Sequence, residues 1–166
     1  MESLIDFMLN LLNGLNKDLT VFIISMIPIL ELRGGLIAAA ILKVPYLRAL
    51  ALCVIGNIIP IPFILLFINK IFEWLKNFNL TRGLVEKLEN RAMGKSDTIQ
   101  RYEFLGLLLF VGIPLPGTGA WTGSLVAALL RIKLRKAVPA IFLGIVLASA
   151  IMSFVTYVIP YVVTNI

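Results

Sequence analysis

Apolar residues are concentrated in five runs, at roughly 4–15, 19–42, 48–72, 104–130 and 137–163. Two of them, 48–72 and 137–163, have 25 and 27 residues and no central break. As α-helices they would be about 37 and 40 Å long, enough to cross a hydrocarbon core of about 30 Å with some tilt. The pattern therefore predicts two full membrane spans, kinked or bounded by their prolines, Pro60, Pro62, Pro139 and Pro160.

The other two long runs are each interrupted near the middle. The first contains "ELRGG" at 31–35, with Glu31 and Arg33 in an otherwise apolar stretch, and the second contains "PLPGTG" at 114–119. The halves of the first run, 19–30 and 35–42, would be about 18 and 12 Å of helix, and neither could span alone. We predict that each broken run is a re-entrant helical hairpin, which leaves the membrane on the side it entered.

An internal repeat links the two broken runs. An offset of 88 aligns seven pairs of similar residues: Gly35, Ala39, Ala40, Lys43, Arg48, Ala49 and Gly56 with Gly123, Ala127, Ala128, Arg131, Lys136, Ala137 and Gly144. An offset of 86 aligns Ile27-Pro28 with Ile113-Pro114. We predict a single membrane domain, 1–166, in which repeat 1 (about 19–72) and repeat 2 (about 104–163) are each a hairpin followed by a transmembrane helix.

Composition and charge place the chain in a cell membrane. It is 60% hydrophobic and 14% charged, with a mean hydropathy of +0.98, far from an ordinary soluble domain. If both broken runs cross the membrane fully, eight of the loop and terminal basic residues lie on one side and six on the other. If both are hairpins, eleven lie on one side and three on the other. The positive-inside rule favours the hairpins. With two hairpins, each repeat enters the membrane from the opposite face, so the repeats are inverted in topology. The side with more positive charge, which carries residues 73–101 and 131–136, is then the cytoplasm.

Two amphipathic stretches lie outside the repeats, one between them and one at the N-terminus. In the connector 73–101, Leu80, Leu84 and Leu88 recur every four residues among charges, which is typical either of a helix on the membrane surface or of a solvated connector. The N-terminal stripe from Leu4 to Leu15 indicates an interfacial helix or a shallow membrane element.

The N-terminal stretch lacks signal-peptide features, so we expect mature sequence. Anionic lipid accounts for the net charge of +6, and no nucleic-acid partner is needed.

The reactive side chains are few. The chain has no histidine and one cysteine, Cys53, which excludes an internal disulfide, a cysteine-only metal site and most hydrolytic triads. We therefore expect no enzyme activity, no metal and no cofactor.

The two breaks are expected to face each other, because irregular backbone at membrane depth needs protein or water to satisfy its polar groups. Half-helices beginning there would offer free amides near Gly34, Gly35, Thr118 and Gly119 as a cradle for an anion. Arg33 has a guanidinium suited to phosphate or carboxylate, and we predict that it contacts an anionic group of a substrate.

Glu31 is the candidate proton carrier, because burial and a nearby guanidinium act in opposite directions on its ionisation. In the alternative, Glu31 and Arg33 pair with each other or cap the orphan carbonyls of the facing hairpin. Trp121 either stacks on a substrate or packs between the hairpins. Asn57 either lines the same cavity or makes an ordinary interhelical hydrogen bond.

The motifs "IPILELRGGLIAA" and "GIPLPGTGAWTGSLVAALL" resemble those of the bacterial and archaeal family labelled putative small multidrug export proteins, over nearly the whole chain. That family is similar in plan to the DedA superfamily, which has paired re-entrant hairpins and includes lipid-carrier translocases that depend on the proton-motive force. The resemblance implies a transporter in which Glu31 and Arg33 are functional. "PLPGTGAW" departs from the DedA pattern because it has no arginine or acidic residue.

The leading hypothesis is a proton-coupled secondary transporter of a small amphipathic or anionic substrate, with a lipid-linked phosphate as one candidate. The alternatives are export of cationic drugs by proton antiport at Glu31, a channel, and a scaffold or assembly factor that transports nothing. Expected partners are membrane lipids, the substrate, and a second copy of the chain. A homodimer would pack through small residues expected to be exposed, Ala38, Ala39, Ala40, Ala127 and Ala128.

Overall fold

The computed structural model describes residues 2–12, 14–78, 82–83, 85–87, 90, 103–115 and 117–164. Within these residues the chain is helical and contains no strand, which confirms the all-α prediction. The main helices are α1 (Glu2–Leu11), α2 (Lys17–Met26), α3 (Glu31–Ile41), α4 (Tyr46–Ile58), α5 (Pro60–Lys76), α6 (Glu103–Gly112), α7 (Ala120–Leu129), α8 (Leu134–Ser153) and α9 (Ile159–Thr164). A π-helical turn, Phe154–Val158, joins α8 to α9.

Among the described residues, two helical stretches are long and apolar enough to cross a membrane. Tyr46–Ile68 has 23 residues and a mean hydropathy of 2.5, and Leu134–Val163 has 30 residues and a mean hydropathy of 2.4. The first is interrupted at Ile59, directly before Pro60, and the second contains the π-helical turn just before Pro160. Proline lacks an amide hydrogen and its ring crowds the preceding turn, which accounts for both irregularities.

The first broken run folds back on itself. Lys17 Nζ, at the start of α2, donates a hydrogen bond of 3.1 Å to the Leu42 carbonyl, just after α3. Asp18 and Arg48 form an exposed ion pair of 3.4 Å between α2 and α4. The beginning of α2, the end of α3 and the beginning of α4 therefore lie at one end of the molecule.

The break in this run lies earlier than the motif "ELRGG" predicts. It occupies residues 27–30, and Glu31, Arg33, Gly34 and Gly35 all lie inside α3. Both glycines are helical, and the absence of a side chain at Gly35 lets neighbouring helices approach closely. A Cβ on Gly35 would lie 2.7 Å from Cys53 Sγ and 3.0 Å from Ser25 Cβ. The turn forms at Pro28 instead, and the Glu31 amide bonds the Ile27 carbonyl at 2.8 Å.

The second broken run is interrupted where predicted, between Gly112 and Ala120.

The end of α7, in the second run, matches the end of α3, in the first run. Lys43 and Arg131, which are 88 residues apart, both have left-handed backbone, with φ of 56° and 52°. The amides of Val44 and Ile132 each bond the carbonyl five residues back at 2.9 Å, as in a Schellman-type helix end. The offset of 88 therefore aligns these two turns in the structure as well.

The small residues of α3 and α7 are used inside the chain. Ala38, Ala39 and Ala127 are fully buried and Ala128 is nearly so, while Ala40 is half-buried. The expectation that this set is exposed is wrong, because packing between the helices of one chain already covers it. The predicted homodimer consequently loses the support of these residues.

The N-terminal helix α1 forms, but it ends at Leu11, before the predicted stripe does, and two residues of that stripe, Leu11 and Leu15, are exposed. Ile5 is buried in a cluster with Ile24, Leu30 and Ala38, so one face of α1 packs on the first broken run. Phe7, on the opposite face, is exposed. Whether α1 is interfacial or shallow in a membrane stays an open prediction. The connector leucines, Leu80, Leu84 and Leu88, lie outside the described residues.

The two long helices run antiparallel. Tyr46, at the beginning of α4, meets Tyr157, beyond the end of α8, with ring centroids 5.1 Å apart. The beginning of α8 lies toward the other end, where Leu134 lines a shared groove with Leu65 and Leu66 of α5.

Candidate functional site

The two interrupted segments meet through Glu31. Its carboxylate lies at the beginning of α7, where Oε2 accepts a hydrogen bond from the Ala120 amide and Oε1 accepts one from the Trp121 amide, each at 3.1 Å. The Glu31 residue is 4% exposed. The first amides of a helix have no partner within the helix, and the helix dipole favours negative charge there. Glu31 therefore caps α7 from a position 89 residues earlier in the chain.

Arg33 binds the other side of the same break. Its Nη1 donates to the Leu115 carbonyl at 2.8 Å, and its Nη2 lies 3.1 Å from Thr118 Oγ1 and 3.3 and 3.4 Å from the carbonyls of Ile113 and Val111. These carbonyls belong to the end of α6 and the turn after it, where helical carbonyls lack partners. The guanidinium therefore holds the end of α6 while Glu31 holds the beginning of α7.

Thr118 organises the turn between α6 and α7. Its hydroxyl oxygen lies 2.9 Å from the Ile113 carbonyl and 2.8 Å from the Leu115 carbonyl, and it accepts a hydrogen bond of 3.2 Å from the Leu115 amide. The same oxygen lies next to Arg33. Thr118 thus links the turn's own backbone to the side chain that crosses from α3.

Trp121 makes the return contact from the second segment to the first. Its indole Nε1 donates a hydrogen bond of 3.0 Å to the Met26 carbonyl, at the end of α2. In this structure the indole lies between the two segments, and its stacking on a substrate stays a prediction. Each segment therefore satisfies backbone groups that the other leaves open.

Glu31 and Arg33 do not pair with each other in the part of the chain that the structure describes; they bind the backbone of the facing segment. Of the structural alternatives, capping is the arrangement observed. Arg33 caps carbonyls of the facing segment, as that alternative predicts, whereas Glu31 caps amides of that segment.

The amides predicted to form an anion cradle are occupied by protein. The Gly34 amide bonds the Leu30 carbonyl at 2.7 Å, and the Thr118 amide bonds the Leu115 carbonyl at 3.2 Å. The amides beside Gly119, those of Ala120 and Trp121, bind Glu31. The anion at the beginning of α7 is therefore the protein's own carboxylate in this structure, and contact of Arg33, Gly34, Gly35, Thr118, Gly119 or Trp121 with a substrate stays a prediction.

Backbone geometry at this contact is unusual on both sides. Glu31 has φ of 51° and Gly119 has φ of 133°. For a residue with a side chain, left-handed backbone costs about 1–2 kcal/mol. Gly119 avoids this cost, whereas Glu31 bears it at the position from which its carboxylate reaches α7.

Asn57 lies apart from this hydrogen-bond network. It is buried on α4, and its Oδ1 has no hydrogen-bond partner among the described residues. The same holds for Ser153 Oγ and Tyr157 Oη. Sequence reasoning singled out Asn57 but missed Ser153 and Tyr157, although both are polar residues within an apolar span. No metal-binding group of three or more His, Cys, Asp or Glu side chains occurs within the described ranges.

These features define a class: a protein that is helical throughout its described ranges, with two membrane-length helices there and two interrupted segments that cap each other through buried Glu31 and Arg33. The chain belongs to the family described as "putative small multi-drug export protein", whose model matches residues 31–151. No curated protein and no solved structure matches the chain. The family name is consistent with a membrane transporter rather than an enzyme, and the similarity to the DedA superfamily stays a prediction.

Proposed function

We propose that this protein is a proton-coupled secondary transporter that moves a small amphipathic or anionic substrate across the cell membrane. The supporting observation is the Glu31 carboxylate, which is buried between two interrupted helical segments and bound by the Ala120 and Trp121 amides. Ionisable groups are costly within a membrane, and they commonly mark ion and substrate pathways.

The proposed coupling acts through the cap on α7. An ionised carboxylate accepts from both amides, whereas a protonated carboxyl group is a weaker acceptor and adds a donor of its own. Protonation of Glu31 would therefore loosen the link between α3 and α7. The left-handed backbone at Glu31 supports this role, since release of the cap would allow the strain to relax.

The segments are proposed to be re-entrant hairpins in two inverted repeats. Lys17 meets Leu42 at one end of the first segment, as a hairpin requires. The matched turns at Lys43 and Arg131 support the repeat. The antiparallel course of α4 and α8 supports the placement of residues 73–101 and 131–136 on one face, which we propose is cytoplasmic.

Three buried side-chain oxygens, on α4, α8 and the π-helical turn, are available to hydrogen-bond water or a substrate. Asn57, Ser153 and Tyr157 each bury an oxygen without a hydrogen bond in the described protein, at a typical cost of about 1–3 kcal/mol for each group. Water or substrate passing between α4 and α8 would satisfy these oxygens.

The proposal is tested in liposomes with radiolabelled farnesyl phosphate as the anionic amphiphile and ethidium as the cationic drug. For the wild-type protein, we expect a pH gradient to drive uptake of farnesyl phosphate. Glu31→Gln should abolish this uptake but preserve exchange of the phosphate at equal concentrations, because exchange requires no net proton movement. Glu73→Gln, which alters an exposed acid on α5, is the matched control and should behave as wild type.

Other outcomes would contradict parts of the proposal. Uptake of ethidium alone would support the drug-antiport alternative. Loss of exchange in Glu31→Gln, together with lower thermal stability, would reduce Glu31 to a cap. No movement of either probe by the folded wild-type protein would favour the scaffold, and single-channel currents would favour the channel.

A further inference from the structure

An apolar groove runs between α5 and α8, and neither Glu31 nor Arg33 lines it. It encloses about 190 Å³, and its lining residues are all apolar: Ile58, Ile61, Pro62, Leu65, Leu66, Leu134, Val138, Ile141, Phe142 and Ile145. The wall toward the exterior is accessible, since Leu66, Val138 and Phe142 are each at least 50% exposed. A chain of methylene groups would fit this lining, whereas a polar ligand would find no hydrogen-bond partner.

Positive charge is concentrated at one end of the groove. Leu134 lies at that end between Lys133 and Arg135, and Lys70 follows the lining residue Leu66 by about one helical turn. Lys70, Lys133 and Arg135 are exposed, and none has an ion-pair partner among the described residues. An anionic group at this end would be attracted to three basic side chains.

We infer that this groove binds one anionic phospholipid, with an acyl chain between α5 and α8 and the phosphate at Lys70, Lys133 and Arg135. The apolar groove accounts for the chain, and the basic end accounts for a preference for anionic over zwitterionic headgroups. The site is separate from the Glu31 contact, so the inference does not depend on transport.

Native mass spectrometry of the full chain in detergent tests lipid selectivity. The probes are phosphatidylglycerol and phosphatidylcholine with identical acyl chains. We expect wild-type protein to retain one phosphatidylglycerol several-fold more often than phosphatidylcholine. Lys133→Ser combined with Arg135→Ser should reduce phosphatidylglycerol to the phosphatidylcholine level. As single changes, Lys133→Ser should weaken the preference, and Lys43→Ser, at the opposite end of the molecule, should not.

A second pair of variants tests the groove itself. Val138→Trp fills it and should reduce retention of both lipids at least several-fold, whereas Val146→Trp changes the same residue type on the same helix outside the lining and should not. If Val138→Trp lowers the thermal midpoint, Phe142→Ala is compared with Leu143→Ala, since both are about half exposed and only Phe142 lines the groove.

Three results would overturn the inference. The first is equal retention of the two lipids by the wild-type protein. The second is unchanged phosphatidylglycerol retention in both Val138→Trp and Phe142→Ala. The third is a dimer that Val138→Trp converts to monomer with no effect on lipid, which would show that a second copy covers the groove.

Discussion

The carboxylate of Glu31 fills the space that a Cβ on Gly119 would occupy. Gly119 directly precedes α7, and its φ of 133° suits a residue without a side chain. The glycine therefore serves two purposes: it permits the backbone turn, and it leaves room for an acid from α3 to reach the amides of Ala120 and Trp121.

Gly119→Ala is expected to destabilise the protein by more than backbone strain alone. The strain amounts to about 1–3 kcal/mol, because φ of 133° with ψ of −176° is a conformation that only glycine adopts readily, and displacement of the Glu31 carboxylate adds a further 1–3 kcal/mol, roughly. Gly14→Ala is the matched control, because Gly14 has φ of 103° and a Cβ there would touch nothing within 4 Å. The measurement is the free energy of unfolding in a detergent titration.

A double-mutant cycle separates the clash from the strain. With Glu31→Ala already present, Gly119→Ala should cost about as much as Gly14→Ala. An undiminished cost in that background would contradict the contact between Gly119 and Glu31.

Arg33→Lys is expected to lose most transport activity and to lower stability by about 1–3 kcal/mol, although the charge is kept. One ammonium group cannot reach Leu115, Thr118 and the end of α6 as a guanidinium does. Thermal unfolding and liposome uptake of farnesyl phosphate are the measurements. Arg48→Lys, at an exposed ion pair, should change neither. Normal stability and uptake in Arg33→Lys would show that the forked geometry is unnecessary.

Trp121→Phe tests the contact from α7 back to α2. The aromatic packing is largely preserved, but the Met26 carbonyl loses its donor, and we expect a loss of about 1 kcal/mol. Trp74→Phe is the control, because Trp74 is exposed and makes an edge-on contact with Phe78. Unchanged stability in Trp121→Phe with an increased KM for substrate would instead favour stacking on the substrate.

The proposed topology is tested by thiol labelling. In a Cys53→Ala background, single cysteines at Ser96 and Arg135 should both resist an impermeant reagent in intact cells, and both should react after the membrane is opened. A cysteine at Lys43 should react from outside. Labelling of Ser96 and Arg135 from opposite faces would restore the model in which both broken runs cross fully.

The sequence by itself determined the class of protein and the order of its elements. Hydropathy is a local property, so the two long helices and the break between Gly112 and Ala120 could be predicted from composition and proline position. The offset of 88 likewise identified Lys43 and Arg131 as equivalent, and their backbone conformations agree.

Only the tertiary structure decided which groups meet. Glu31 and Arg33 could have bound each other, a substrate or the facing segment, and nothing local distinguishes these partners. Their acceptors and donors lie about 80–90 residues away along the chain. The position of the first break and the burial of Ala38, Ala39 and Ala127 depended in the same way on neighbouring helices. Close packing and helix capping depend on residues that are distant in sequence. A hydrophobic pattern therefore indicates that a buried polar group needs a partner, but not which residue provides it.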